Sequence, residues 1–286
     1  MSTGGGITIR EMAAGDVAAA LHLSRASGWN QTEADWRYLL QENRGRFVAA
    51  VRGERLVGTG GATCYGDRLA WVCMILVDEE ERGRGVGSRI VAAVLDRLAG
   101  METVGLDATP SGRAVYERLG FTAASSLLRV GGAADDAARA HGAETRPVEA
   151  ADLDALLRLD REAFGADRSR VIRWAREAAP ALAWCAMQEG RLAGYCLGRP
   201  GDRAVHVGPV VAHSVAQARA LVGSAAASVQ GGALMLDVST GTPSWLAELE
   251  TLGLRGQRPF TRMYRSAAPP PGRPELTLAA FGPELG

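Results

Sequence analysis

The stretch "WVCMILVDEEERGRGVGSRIVAAVLDRL" (residues 71–98) decides the fold. Its first seven residues form an apolar run of strand character, and the apolar spacing over 86–99 predicts a helix. Between them Arg82, Arg84 and Arg89 are interleaved with Gly83, Gly85 and Gly87. The first N–H groups of a helix have no partner inside it, and the helix dipole adds roughly half a positive charge there. Glycine lets an anion reach the backbone with no Cβ in the way. The joint therefore reads as a cradle for a diphosphate. It is not a Walker A loop, since no Gly-Lys-Ser/Thr follows, and its Gly-x-Gly-x-Gly spacing is not the dinucleotide fingerprint.

Working outward, the chain repeats itself. "TIREMAAGDVAAALHL" (8–23) aligns with "ETRPVEAADLDALLRL" (144–159), and "FVAAVRGERLVGTG" (47–60) with "WCAMQEGRLAGYCL" (184–197), both with matches 136 residues apart. "GLDATP" (105–110) and "ERLGF" (117–121) recur as "MLDVST" (235–240) and "ETLGL" (250–254) at offsets of 130 and 133. A register that holds and then slips by small gaps is that of two copies of one fold. Each copy predicts a short strand (7–11; 145–148), a helical region and a hairpin turning at "RGER" or "QEGR". A long apolar strand, a helix, a strand, a helix and a final strand follow. Asp16 and Asp152 are expected to accept N–H bonds at the start of the first helix. The class is α/β (α+β, mixed sheet), as two tandem domains, each a central mixed β-sheet flanked by helices. The boundaries expected are 1–135 and 143–266, with a Gly/Ala/Asp-rich joint at 131–143 and a Pro-rich C-terminal tail at 267–286.

Residues 75–98 resemble motif A of the GNAT superfamily of acyl-CoA N-acyltransferases, roughly V-x-P-x-x-R-G-x-G-x-G/A. Val77, Arg82, Gly83, Gly85 and Gly87 match, and Glu79 replaces the usual proline. Residues 112–121, ending in "YERLGF" (116–121), resemble motif B with its tyrosine and Gly-Phe. "GWNQT" (28–32) is similar to a bacterial tandem-GNAT subgroup with a degenerate second half. The resemblance implies acetyl-CoA as acyl donor and no metal. It implies a strand splayed from its neighbour, where Ile75, Leu76 and Val77 hold the pantetheine arm and the acyl carbonyl through free backbone groups. Arg82, Gly83, Arg84, Gly85, Val86, Gly87 and Ser88 would hold the diphosphate. Thr109 stands where the family often has a pantetheine-contacting asparagine.

Acetyl transfer to an amine needs a neutral nucleophile, donors for the oxyanion and a proton or hydrogen bond for the leaving thiolate. Tyr116 is the expected thiolate partner, and a backbone N–H of Leu76 or Val77 the oxyanion donor. Glu33 and Asp107 are the foremost candidates for a general base, with Asp35, Glu79, Glu80 and Glu81 behind them. Trp29 and Asn30 are expected to line the acceptor side together with Trp36, and Arg168, in "AFGADRSR" (163–170), to bind an acidic group there. The second copy reads "HVGPVVAHSVAQARALVGS" (206–224) at the place of the glycine–arginine loop and has no phenol at the tyrosine position. It is expected to bind coenzyme A weakly or not at all and to shape the acceptor pocket.

The function expected is N-acetyl transfer from acetyl-CoA to a primary amine of a small molecule by direct attack in a ternary complex. A protein lysine or N-terminal acetyltransferase, or a non-catalytic acetyl-CoA-binding regulatory module, are the alternatives. The composition agrees with a soluble domain pair: 286 residues, 47% hydrophobic, 22% charged. Thirty-two basic and 32 acidic residues leave no net charge, which argues against a nucleic-acid partner. No apolar stretch is long enough to span a membrane, and no signal-peptide pattern opens the chain. Cys64, Cys73, Cys185 and Cys196 form no CxxC pair, the four histidines show no metal spacing, and a cytoplasmic monomer or homodimer is expected.

Overall fold

The computed structural model describes residues 6–133, 144–229, 231–266 and 272–286. The first half runs β1 (Ile7–Glu11), α1 (Val17–Ala26), α2 (Glu33–Glu42), β2 (Val48–Arg52), β3 (Arg55–Tyr65), β4 (Leu69–Val77), α3 (Val86–Asp96), β5 (Thr103–Ala108), α4 (Pro110–Arg118) and β6 (Thr122–Ala133). The second half repeats that order as β7 (Glu144–Pro147), α5 (Leu153–Phe164), α6 (Ser169–Ala178), β8 (Trp184–Gln188), β9 (Arg191–Arg199), β10 (Val205–Ala212), α7 (Val215–Ala227), β11 (Ala233–Ser239), α8 (Pro243–Thr251) and β12 (Arg255–Arg265), and adds β13 (Thr277–Ala279). The joint at 131–143 begins as the end of β6, and residues 134–143 lie outside the described residues, as do 267–271 of the tail.

The repeat is visible in three dimensions. Arg10 donates to both carboxylate oxygens of Asp16 at 2.7 and 2.8 Å, and Arg146 does the same to Asp152 at 2.6 and 2.8 Å. Each aspartate also accepts a backbone N–H three residues earlier, from Ala13 and Glu149. The bond thus runs backward, to the residue that precedes the first helical turn, rather than forward into the helix. Both hairpins close on two residues, Gly53–Glu54 and Glu189–Gly190, where Gly53, Glu189 and Gly190 take positive φ.

Two mixed sheets were expected, and one continuous sheet of 13 strands is found, in the order β1-β2-β3-β4-β5-β12-β6-β11-β13-β10-β9-β8-β7. The halves exchange their last long strands. β12 pairs with β5 of the first half, and β6 pairs with β11 of the second. β6 and β12 pair with each other along the junction. α1, α2, α5 and α6 share one core with alternate residues of the strands, including Trp36, Trp71, Leu156 and Phe281. On the opposite face α3 and α7 each pack over their own half.

One packing detail sets the site. β3 carries Gly58 and Gly60 beneath α3, where a Cβ on either would run into the Ile90 side chain. α3 can therefore lie close to the sheet, with its first turn against the end of β4.

Candidate active site

β4 and β5 are paired in parallel only at Leu69–Thr103, Ala70–Val104 and Trp71–Gly105. Beyond Trp71 the strands part, and β4 runs on to Val77 with no ladder on its β5 side. β4 bulges within this free stretch. Its register against β3 shifts between Thr59 and Gly61, and Met74 takes φ 56°. The Thr59 hydroxyl donates to the Met74 carbonyl at 2.8 Å, holding the bulge. A left-handed non-glycine residue is uncommon, and Met74 takes this conformation on the strand edge that has no β5 partner.

A cavity of about 610 Å³, counted to its open mouth, lies in this V. Val72, Cys73, Met74 and Ile75 of β4, Asp107 of β5, and Thr109 and Tyr116 from the start and body of α4 line it. The Tyr116 ring stacks edge-on to Phe121 at 5.9 Å. Burial, then the nearby Cys73, pushes its phenol up to about 12, so the hydroxyl stays protonated. The Thr109 hydroxyl accepts the Gly112 N–H at 3.3 Å as the N-cap of α4 and also meets Ser111 at 3.1 Å. Leu76 and Val77 lie beyond the lining, on the way to the glycine-rich turn.

At that turn Gly83 and Gly85 both take φ 75°. Gly85 is the N-cap of α3 and offers no side-chain cap. The first bond into the helix is from Arg89 N–H to Gly85 O at 3.1 Å. The amides of Val86, Gly87 and Ser88 therefore have no partner within the helix. A Cβ on Gly87 would meet only Val77, at an ordinary 3.6 Å. The fold does not require glycine there, whereas close approach of an anion to the helix start would. The Arg82 Nε donates to the Val77 carbonyl at 3.2 Å, and Arg82 carries no ion pair among the described residues. Arg84 pairs with Glu81, itself buried against Arg52, and Arg89 reaches back to the Ile7 carbonyl. These residues fit a diphosphate: amide donors at a positive dipole end, a guanidinium tethered to the Val77 carbonyl through Nε, and no side chain in the way.

Several expected residues are placed differently. Glu33 is exposed, bonded to Arg37, and absent from the cavity lining, because the Thr32–Asp35 capping box turns the start of α2 outward. Asp107 does line the cavity, but Arg262 of β12 grips both its oxygens at 2.9 Å. Burial raises the Asp107 carboxyl and the guanidinium opposes that rise. Asp107 is not a free base. Asn30 faces the second half instead of a ligand: its amide donates to the Ala204 carbonyl and accepts the N–H groups of Arg203 and Ala204. Arg168 is sealed in the core, bonded to Asp160 and to the Gly286 carbonyl, with its guanidinium 4.0 Å from the Phe164 ring centroid. It binds the end of its own chain, not a substrate. Trp29 does line the cavity.

The second half was expected to shape the acceptor pocket, but none of the residues that line the cavity from β6, β12 and the tail was named from the sequence. Arg258 and Phe260 of β12, Arg129 of β6, and Pro283 and Glu284 of the tail complete the lining. Arg129 is paired with Asp237 at 2.7 and 2.8 Å. Glu284 is buried between Arg199, which also binds Asp35, and Gln31, which donates to it at 2.8 Å. Alternation in β12 could have placed Arg258, Phe260 and Arg262 on one face, but not that this strand crosses to β5.

The comparisons with known proteins agree with this geometry. The GNAT acetyltransferase family model matches residues 18–121, and a GNAT acetyltransferase domain model matches residues 156–278. The uncharacterized N-acetyltransferase YitH of Bacillus subtilis (strain 168) is 27% identical over 256 residues, covering 88% of this chain and 90% of that protein. A Pyrococcus horikoshii protein, itself assigned only provisionally as an acetyltransferase, superposes with a TM-score of 0.81 at 18% identity, over 100% of this chain and 97% of its own. A GCN5-related N-acetyltransferase of Sphaerobacter thermophilus gives 0.63 at 17% identity, over 90% and 95%. At such identities the two structures speak to the fold alone.

Proposed function

The chain belongs to the GNAT acetyltransferases, with two of their domains in tandem, and from that premise we propose that its first half transfers acetyl from acetyl-CoA to the amine of a small molecule. The observation that carries this reading is the V between β4 and β5, whose cavity is lined by Met74 of the bulge and by Tyr116, with the uncapped start of α3 packed against Val77 at the end of the same strand.

Acetyl-CoA, when bound, supplies the acetyl thioester. The Val86–Ser88 amides and Arg82 hold the diphosphate. The edge of β4 over 72–77, which has no β5 partner, would bond the pantetheine amides, and a backbone N–H of Leu76 or Val77 would donate to the acetyl oxygen. Tyr116 donates a hydrogen bond to the departing sulfur. With its phenol near 12 and an ordinary thiol near 8.5, full proton transfer is uphill, so the bond rather than the proton is what it contributes. Both carboxylates on the cavity are committed, Asp107 to Arg262 and Glu284 to Arg199 and Gln31. The amine therefore enters neutral or gives its proton to water, and the rate should climb with pH through the acceptor's own pKa.

A small acceptor is favoured over a polypeptide because Phe260, Pro283 and Glu284 wall the cleft from the second-half side. The test is a thiol-release screen over amines with Tyr116→Phe as comparison. A drop of about 100-fold in kcat with little change in KM for acetyl-CoA supports the reading. Equal rates for both proteins would remove Tyr116 from the chemistry, and no thiol release with any amine or peptide would overturn the enzyme.

A further inference from the structure

Three arginines rise from the swapped strands β6 and β12 beside the cavity, and they are not alike. Arg129 is held by Asp237 and Arg262 by Asp107, each through two bonds. Arg258 has no ion pair among the described residues, and its Nε is buried with no hydrogen-bond partner. It is nevertheless fixed. Its guanidinium lies 4.7 Å from the Phe260 ring centroid, with that of Arg129 at 5.1 Å from the same ring. Burial and the neighbouring Arg129 both work against its charge. The Asp237 carboxylate opposes that effect, but it is itself bonded through both oxygens to Arg129, so the buried Nε of Arg258 is left without a partner.

Arg258 also stands at a junction. It lines the cavity between β4 and β5, and it lines an adjoining hollow of about 960 Å³ between β6, β11 and the loop before β10. That hollow is bordered by Arg129, Arg203 and Arg258, and none of its lining residues is a carboxylate. A molecule with its amine at Met74 and its other end toward the hollow would meet Arg203 and Arg258 there, neither in an ion pair among the described residues, with Arg129 already held by Asp237.

We propose that the acceptor carries an anionic group, a carboxylate or a phosphate, and that Arg258 is the residue that binds it. This rests on the acetyltransferase reading for the position of the amine, and it adds the chemical class of acceptor. A planar guanidinium fixed by an aromatic face can take either anion through two parallel bonds.

The test is calorimetric titration of the CoA-loaded protein with inorganic phosphate and, separately, with β-alanine, for the wild type, Arg258→Gln and Arg258→Lys. Prior loading with CoA blocks the cradle at α3, so binding there does not interfere. The expected result is binding of at least one probe, weakened about 10- to 100-fold in Arg258→Gln and partly restored in Arg258→Lys. Which probe binds separates a phosphate-bearing acceptor from a carboxylate-bearing one. CoA affinity should be the same in all three proteins, and the Tm of Arg258→Gln should not fall. The proposal is overturned if neither probe binds the wild type, if Arg258→Gln binds both as well as the wild type, or if the substitution weakens CoA. Failure of the acetyltransferase reading would look different: no CoA binding at all, with the anion titrations, repeated on the unloaded protein, still depending on Arg258.

Discussion

In the first half β4 and β5 part after the Trp71–Gly105 pair; in the second, β10 and β11 part after His206–Met235, one residue short of the position that the 136-residue offset gives. The first V is a cavity. The second is filled by the protein itself: β13 pairs with β10 at Val210–Ala279 and with β11 at Val238–Ala279. Trp245 of α8 donates to the Leu278 carbonyl and fixes the strand in place. The helix starts differ in the same sense. α3 begins at Gly85 with no side-chain cap, whereas α7 begins at Ser214, whose hydroxyl accepts the Gln217 N–H while the Gln217 side chain accepts the His213 N–H. One half leaves a strand edge and a helix start unsatisfied, and the other satisfies both from within. A duplicated fold can thus keep its architecture in both copies and leave an open strand edge and helix start in one.

The comparison breaks most severely if the filling strand is removed. Leu276, Leu278, Phe281 and Leu285 are all buried. At about 1.5–3 kcal/mol for each such side chain, a chain ending at Ser266 loses as much as many domains possess in total. It is expected to be insoluble or unfolded by circular dichroism, and a folded product of unchanged Tm would mean that β13 fills nothing of consequence. Loosening the anchor of the same tail is the next step down. Arg168→Ala leaves Asp160 buried without its cation and frees Gly286, a loss of about 3–5 kcal/mol by denaturant titration. A change in acceptor KM without loss of stability would return Arg168 to the substrate.

A smaller effect marks the point where the second V begins. His206 is buried among Asp237, Arg129, Arg199 and Glu284, and burial is the main reason its imidazole falls to about 4. The unfolded chain takes up that proton near 6.5. Stability is therefore full above pH 6.5 and is lost as pH falls toward 4, by about 3 kcal/mol over the window. Unfolding free energies measured between pH 7 and 5 should show this slope, and His206→Gln should flatten it. An unaltered slope in that variant would assign the acid sensitivity to other groups.

How much of this the sequence revealed depends on the distance over which each feature is decided. The glycine–arginine joint is local: the amide positions follow from Gly83, Gly85 and Gly87 and the helix that starts after them, so the uncapped helix start was legible. The repeat was legible because Arg10, Asp16, Arg146 and Asp152 are held by the same short-range bonds in both halves. The strand exchange was not, because nothing local in β6 or β12 says which sheet either strand closes. Arg168 carried no mark of its partners: Asp160 lies one helix segment earlier and Gly286 at the far end of the chain. Asn30 looked like a recognition residue because its bonds are to a loop more than 170 residues away. The filling of the second V rests on three strand residues of the tail, too short a run to be told from a loop.

The most direct test of the difference between the two halves is the stoichiometry of acetyl-CoA binding, measured by calorimetry on the wild type and on Gly87→Asp. Aspartate at that position suits the first turn of a helix and meets only Val77 at van der Waals distance, so the variant should fold. Its carboxylate would stand where the diphosphate belongs. One site per chain is expected, weakened on the order of 100-fold or more in the variant by like-charge repulsion. Two sites per chain, or one site that Gly87→Asp leaves untouched, would contradict the assignment of the donor to the first half.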